Sequence, residues 1–158
     1  MHGVEQEPLE KSVDHLLEEC RMVLPGVQAL FGFQLIAVFN QSFFERLATR
    51  EQVLHLLALF LTAVAVAMLM APAAYHRQAE PRTVSKRFLA YADGLLTGAM
   101  VPLMFGLSID VYIIAMLVLG SPALSLAFAA VLFAICGGLW FGVPRWRKGV
   151  RFGIDRPA

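Results

Sequence analysis

The chain has 158 residues and a mean hydropathy of +0.66; 58% of its residues are hydrophobic and only 16% are charged. Soluble domains carry about 25% charged residues, so the composition excludes an ordinary soluble fold and predicts an integral membrane protein. At about 20 residues for each spanning helix, the length leaves no room for a separate soluble catalytic domain. The formal net charge of +1 is unevenly distributed, and that unevenness predicts an orientation.

Residues 1–21 have the pattern of an amphipathic helix. Apolar positions recur at helical spacing along one face, at Leu9, Val13, Leu16, Leu17 and Cys20. The opposite face is acidic, so an anionic lipid surface would repel it. We therefore expect a cytoplasmic helix at the inner membrane surface, held by the basic second loop and tail of the same chain.

Four long apolar segments follow this N-terminal region. Their lengths predict spanning helices over about 22–42, 53–74, 88–119 and 123–143. Residues 22–143 then form the membrane domain, and residues 144–158 form a basic cytoplasmic tail. The predicted fold class is all-α: an integral membrane four-helix bundle with an N-terminal amphipathic interfacial helix.

Lysine and arginine are concentrated on one side of this predicted bundle. With four spans, eleven of these residues fall on the side of the termini and the second loop, and two fall on the other side. The positive-inside rule places both termini and the second loop on the cytoplasmic side of the membrane.

Small residues recur at a spacing of four on the last two spans. The third span carries Gly94, Gly98 and Gly106, and the fourth carries Ala134, Gly138 and Gly142. Close helix contacts in lipid depend on such residues. We interpret the two stripes as facing each other within one chain; the alternative is that one stripe forms a contact between copies.

Polar groups within the spans are candidates for function, because each needs a partner or a water-filled path. They include Gln28, Gln34, Asp93 and Asp110. Asp93 lies about 7 Å beyond Phe88 along a helix, and Asp110 falls near the outer interface. Neither is predicted at the midplane, although a shift in the register of the third span would bury Asp110.

A second group of candidates meets at the inner interface, where the first span begins and the second ends. Its members are Glu18, Glu19, Arg21, Tyr75, His76 and Arg77. One interpretation is a set of charge pairs that anchors helix ends. The other is a pH-sensitive gate, because histidine can change its charge near neutral pH and pair differently with Glu19.

The chain lacks the motifs of nucleotide, metal or hydrolase chemistry. Cys20 and Cys136 fit no zinc, haem or thioredoxin spacing. The basic residues are not interleaved with stacking aromatics as in nucleic-acid-binding proteins. We expect no enzyme activity, no cofactor, no metal site and no nucleic-acid partner.

Three segments carry a resemblance to a known family: LLEECRMVLPGVQALFGFQL from Leu16, APAAYHR from Ala71 and SIDVYIIAMLVLG from Ser108. Together they resemble an uncharacterised bacterial family of small four-span membrane proteins, whose members often carry the label sodium:proton antiporter. The resemblance implies the four-span fold. Two residues depart from the pattern of this family: Cys20, and Gln34, which is polar where an apolar residue is expected.

Two functions fit these features. We favour the first, a structural or accessory subunit that packs with itself or with another membrane protein, because it suits short loops, small-residue stripes and few buried charges. The second is a small proton- or cation-coupled transporter or channel that acts as an oligomer.

The orientation can be tested with topology reporters. Fusions at Glu51 or Gly120 should report a periplasmic location, and fusions at Glu80 or Ala158 a cytoplasmic one, because the basic loops remain inside. A cytoplasmic signal at Gly120 would contradict the four-span prediction.

Overall fold

The computed structural model describes residues 9–79 and 85–146. The helices are α1 (Leu9–Ala37), α2 (Gln41–Arg46), α3 (Thr49–Ala79), α4 (Lys86–Leu119) and α5 (Pro122–Gly137). The last helix continues through a π-helical turn, Gly138–Gly142, as far as residue 146. By length and composition, four of these helices can cross a membrane: α1, α3, α4 and α5 with its extension. The described chain is therefore a helical membrane bundle.

The first long helix differs from the sequence prediction. No break separates the segment before residue 21 from the first span, since α1 runs without interruption from Leu9 to Ala37. Val13, Leu16 and Cys20 are buried in a cluster with Phe88 and Ala92 of α4. From Val13 to Cys20, the apolar face predicted to lie on the membrane surface thus packs against α4.

Helices α3 and α4 are antiparallel and form the most extensive helix contact. The two backbones approach closely at Gly106, where an added Cβ would lie 3.1 Å from Thr62 Oγ1 and 3.3 Å from the Ala58 carbonyl oxygen. At Gly98 an added Cβ would lie 2.7 Å from Met68 Cε. Two glycines of the predicted α4 stripe therefore face α3. The prediction that this stripe faces the fourth span was wrong.

Helix α5 contacts α4 through a different face from the one predicted. Ser125, Ala129 and Cys136 are its buried residues, whereas Ala134, Gly138 and Gly142 are exposed on this chain. Gly94 on α4 is exposed as well. Larger side chains contribute to the α4–α5 contact, since the rings of Phe105 and Phe133 meet edge to face with centroids 5.0 Å apart. A spacing of four places small residues on one face of a helix, but it does not show which helix lies against that face.

The turn between α4 and α5 needs a glycine. Gly120 has a φ of 63°, in the left-handed region, and its N–H donates to the Met116 carbonyl at 3.0 Å. Residues other than glycine are disfavoured in that conformation, because a Cβ atom would be strained. Pro122 then begins α5 at a position where its missing N–H costs no helical hydrogen bond.

The α3–α4 contact can be tested with a pair of glycine substitutions. Gly106→Val should lower the thermal unfolding midpoint of the detergent-solubilised protein, because its side chain would meet the backbone of α3; overpacking of this kind costs about 1–3 kcal/mol. Gly94→Val is the matched control on the same helix, since nothing lies within 4 Å of an added Cβ there. Equal losses in the two variants would contradict the close contact.

Candidate functional site

Most buried hydroxyl groups of the described bundle are explained by local hydrogen bonds. Thr62, Ser108 and Ser125 each donate to the carbonyl oxygen four residues earlier, at 3.0, 2.8 and 2.8 Å respectively. Such bonds satisfy a hydroxyl inside a helix without any ligand. The remaining buried polar side chains, Gln34, Glu51 and His55, lie near one end of the bundle.

Asp110 is at the centre of this group. Its side chain is 14% exposed, and Gln34 Nε2 donates to its Oδ2 at 2.6 Å. Nδ1 of His55 lies 3.8 Å from its Oδ1, close enough for an ion pair but too far for a hydrogen bond. Three helices, α1, α3 and α4, thus contribute one polar side chain each to what we call the Asp110 site.

The hydrogen bond of His55 determines where its neutral ring carries a proton. Nε2 lies 2.9 Å from the backbone carbonyl oxygen of Gln34. A carbonyl oxygen only accepts, so Nε2 must be protonated and must donate. In the neutral ring, Nδ1 then keeps a lone pair toward Asp110. The space between Nδ1 and the carboxylate can therefore take one additional proton.

The short helix α2 covers this histidine. Asn40 caps α2, since its side-chain oxygen accepts from the Ser42 N–H at 3.0 Å. The ring of Phe43 then packs edge to face on the ring of His55, with centroids 5.1 Å apart. The segment between α1 and α3 therefore orients a residue of the site as well as joining two helices.

A cavity of about 330 Å³ adjoins Asp110 and His55. Most of its lining is apolar, and Asn40 and Ser42 add polar groups. Its lining includes Phe33, Ile114 and Leu117, which are exposed on the surface of this chain. The Asp110 site therefore places a carboxylate at the wall of a largely apolar cavity.

Two buried oxygens near this end have no hydrogen-bond partner among the described residues. They are Oε1 of Gln34, on a residue that is 4% exposed, and Oε2 of Glu51, on a residue that is 8% exposed. Glu51 precedes His55 by one helical turn and therefore lies on the same face of α3. Both oxygens are acceptors, so this end of the bundle has spare capacity for a proton or another cationic donor.

The structure brings together two of the four polar residues predicted from the spans. Gln34 and Asp110 are in direct contact, whereas Gln28 and Asp93 are exposed on α1 and α4. His55 was not among the predicted site residues. The signal that could have identified it is an ionisable residue inside an apolar run, placed four positions after Glu51 on one helical face.

The predicted inner-interface group is only partly assembled. Arg21, His76 and Arg77 line one cavity between α1 and α3, and Tyr75 stacks on Phe88 with ring centroids 5.7 Å apart. Glu18 and Glu19 are exposed. In the described ranges, neither acid forms an ion pair with this cavity's arginines or histidine. Among the described residues of this group, neither the predicted charge pairs nor the pairing of His76 with Glu19 is formed.

The donor set of the Asp110 site also bears on the kind of ion it can hold. Among residues 9–79 and 85–146, no group of three histidine, cysteine, aspartate or glutamate side chains is arranged to hold a metal ion. The Asp110 site combines one carboxylate, one imidazole and one amide. It is suited to a proton or to a singly charged group.

Comparison with known proteins identifies the family. The chain belongs to DUF6328, a family of unknown function, whose profile matches residues 2–144. No curated protein and no solved structure matches the chain. The match agrees with the resemblance to an uncharacterised family, so the function has to be argued from the site.

The Gln34–Asp110 bond can be tested by substitution. Gln34→Met should lower the free energy of unfolding by about 1–3 kcal/mol, because a buried carboxylate loses its hydrogen-bond donor. Thermal unfolding in micelles measures the loss, and Gln28→Met is the exposed control on the same helix. In an Asp110→Leu background the effect of Gln34→Met should shrink. An undiminished effect in that background would show that the bond does not cause the loss.

Proposed function

We propose that this member of DUF6328 is a small proton- or cation-coupled membrane transporter in which a proton and a cationic solute compete for Asp110. The observation that carries the proposal is the placement of Asp110, a largely buried carboxylate in a helical membrane bundle, between Gln34 and His55. Ionisable residues inside membrane bundles are costly to bury and commonly mark paths for ions or protons.

The combined charge of His55 and Asp110 supports the exchange of a proton for a cation. With Nε2 of His55 donating to a carbonyl, the neutral ring and the ionised Asp110 together carry one negative charge. One added proton cancels that charge, whether it binds to Nδ1 or to the carboxylate. A singly charged cation beside Asp110 cancels it equally. Since both would occupy the same small region, binding of one disfavours the other.

The adjacent cavity provides room for the cation. Its volume of about 330 Å³ lies at the lower end of the range of about 300–1,000 Å³ for small-molecule sites. Asn40 and Ser42 add oxygens to the lining of this cavity. The sodium:proton antiport suggested by the sequence resemblance is one form of such exchange.

The distribution of basic residues supports an orientation for this site. Asp110 lies near the end of the bundle where α1 ends and α3 begins, opposite the end with most lysines and arginines. By the positive-inside rule the site is then near the outer side of a bacterial inner membrane, with both termini in the cytoplasm.

A second candidate function is an accessory subunit that packs with itself or with another membrane protein. The observation that favours it is the face of α5, on which Ala134, Gly138 and several larger apolar side chains are exposed. Lipid or a neighbouring helix could cover this face. An oligomer of transporters would use the same face, so the presence or absence of transport separates the two functions.

Transport can be measured on the purified chain in liposomes that contain a pH-sensitive dye. A sodium or potassium gradient should drive a change of internal pH with the wild type. Asp110→Asn should reduce this change to the level of empty liposomes, because the amide keeps the shape and cannot bind the proton. Asp93→Asn is the matched control, since Asp93 is an exposed carboxylate on the same helix and should retain wild-type flux.

The other outcomes contradict the proposal. Wild-type flux in a folded Asp110→Asn variant would exclude Asp110 as the exchange site. An inactive wild type under both gradients would favour the accessory-subunit function.

A further inference from the structure

A second cavity lies between α1 and α3, at the end of the bundle away from Asp110. Its volume is about 690 Å³, and both helices contribute to its lining. Cationic groups and apolar walls occur together in it: Arg21 and Leu24 come from α1, and Met70, Ala71 and Arg77 come from α3. Nothing in the exchange proposed for Asp110 uses this cavity.

The two arginines are available to an anion. Both are exposed, and within residues 9–79 and 85–146 no carboxylate forms an ion pair with either guanidinium. Arginine keeps its charge at any physiological pH, and its planar set of donors fits the oxygens of a phosphate. Two unpaired guanidinium groups at one cavity therefore favour an anionic headgroup.

The rest of the cavity is suited to a hydrocarbon chain. Ala67 also lines it and precedes Arg77 by about 15 Å along α3, at 1.5 Å per residue. Alanines at 67 and 71 leave space that longer side chains would fill, and Leu24 and Met70 provide apolar contacts. A ligand with a charged head and an apolar tail would match both parts at once, whereas a small soluble anion would use only the arginines.

We propose that this cavity binds an anionic phospholipid, with the phosphate between Arg21 and Arg77 and an acyl chain along the alanines of α3. The position supports the proposal, because the cavity lies at the end of the bundle where most basic residues fall. Basic pockets between spanning helices on that side of a membrane bind anionic headgroups. The site is independent of the transport proposal and can be tested without any measurement of flux.

Binding can be tested on the delipidated full-length protein in a non-ionic detergent. Phosphatidylglycerol should remain bound in native mass spectrometry and raise the thermal unfolding midpoint. Phosphatidylcholine, whose headgroup carries no net charge, and inorganic phosphate, which has no acyl chain, should do neither at equal concentration. The double variant Arg21→Gln/Arg77→Gln should weaken phosphatidylglycerol binding about thirtyfold, taking about 1 kcal/mol for each arginine.

The control must separate a defined site from general attraction to an anionic surface. Lys86→Gln/Arg87→Gln removes two positive charges at the same end of the bundle, from exposed residues that do not line the cavity, and should leave binding unchanged. Ala71→Leu keeps both arginines and should weaken binding by filling the apolar part.

Three results would overturn the proposal. They are equal losses in the two double variants, equal stabilisation by phosphatidylcholine, and stabilisation by inorganic phosphate that matches that of the lipid.

Discussion

The close contact of α3 and α4 at Gly106 determines where the functional side chains lie. Because glycine has no side chain, the Ala58 carbonyl and the Thr62 hydroxyl can approach α4 closely there. Asp110 follows Gly106 by four residues, and His55 precedes Ala58 by three, so each lies on the contact face of its helix. In an antiparallel pair these two positions are neighbours. The geometry of the Asp110 site is therefore a consequence of backbone packing one turn away.

Burial of a carboxylate among apolar helices is unfavourable unless polar groups replace water. Gln34 supplies a donor from α1, and His55 approaches from α3. The His55 ring is hydrogen-bonded to the backbone carbonyl of Gln34 and packs against the ring of Phe43. Each partner comes from a different segment of the chain, so the site depends on the complete assembly of the bundle and cannot form in any single helix.

The sequence is sufficient to predict four long apolar helices and the polar character of Gln34 and Asp110, because both properties depend on residue type alone. It is insufficient where the answer depends on the neighbouring helix. The segment before residue 21 was predicted to be a separate surface helix, but Phe88 of α4 covers its apolar face. The α4 glycines were assigned to α5 because the connection is short, yet Gly98 and Gly106 face α3. His55 has a recognisable position four residues after Glu51, but its contact with Asp110 depends on the fold.

Helix α1 links the two ends of the molecule. It carries Gln34, which donates to Asp110, and it carries Arg21, which lines the cavity between α1 and α3. These residues are 13 positions apart, or about 20 Å along one helix. Between them Val27 packs against Leu69 and Ala99, where α1, α3 and α4 meet. A displacement of α1 along α3 would therefore change the hydrogen bond to Asp110 and the shape of the basic cavity together.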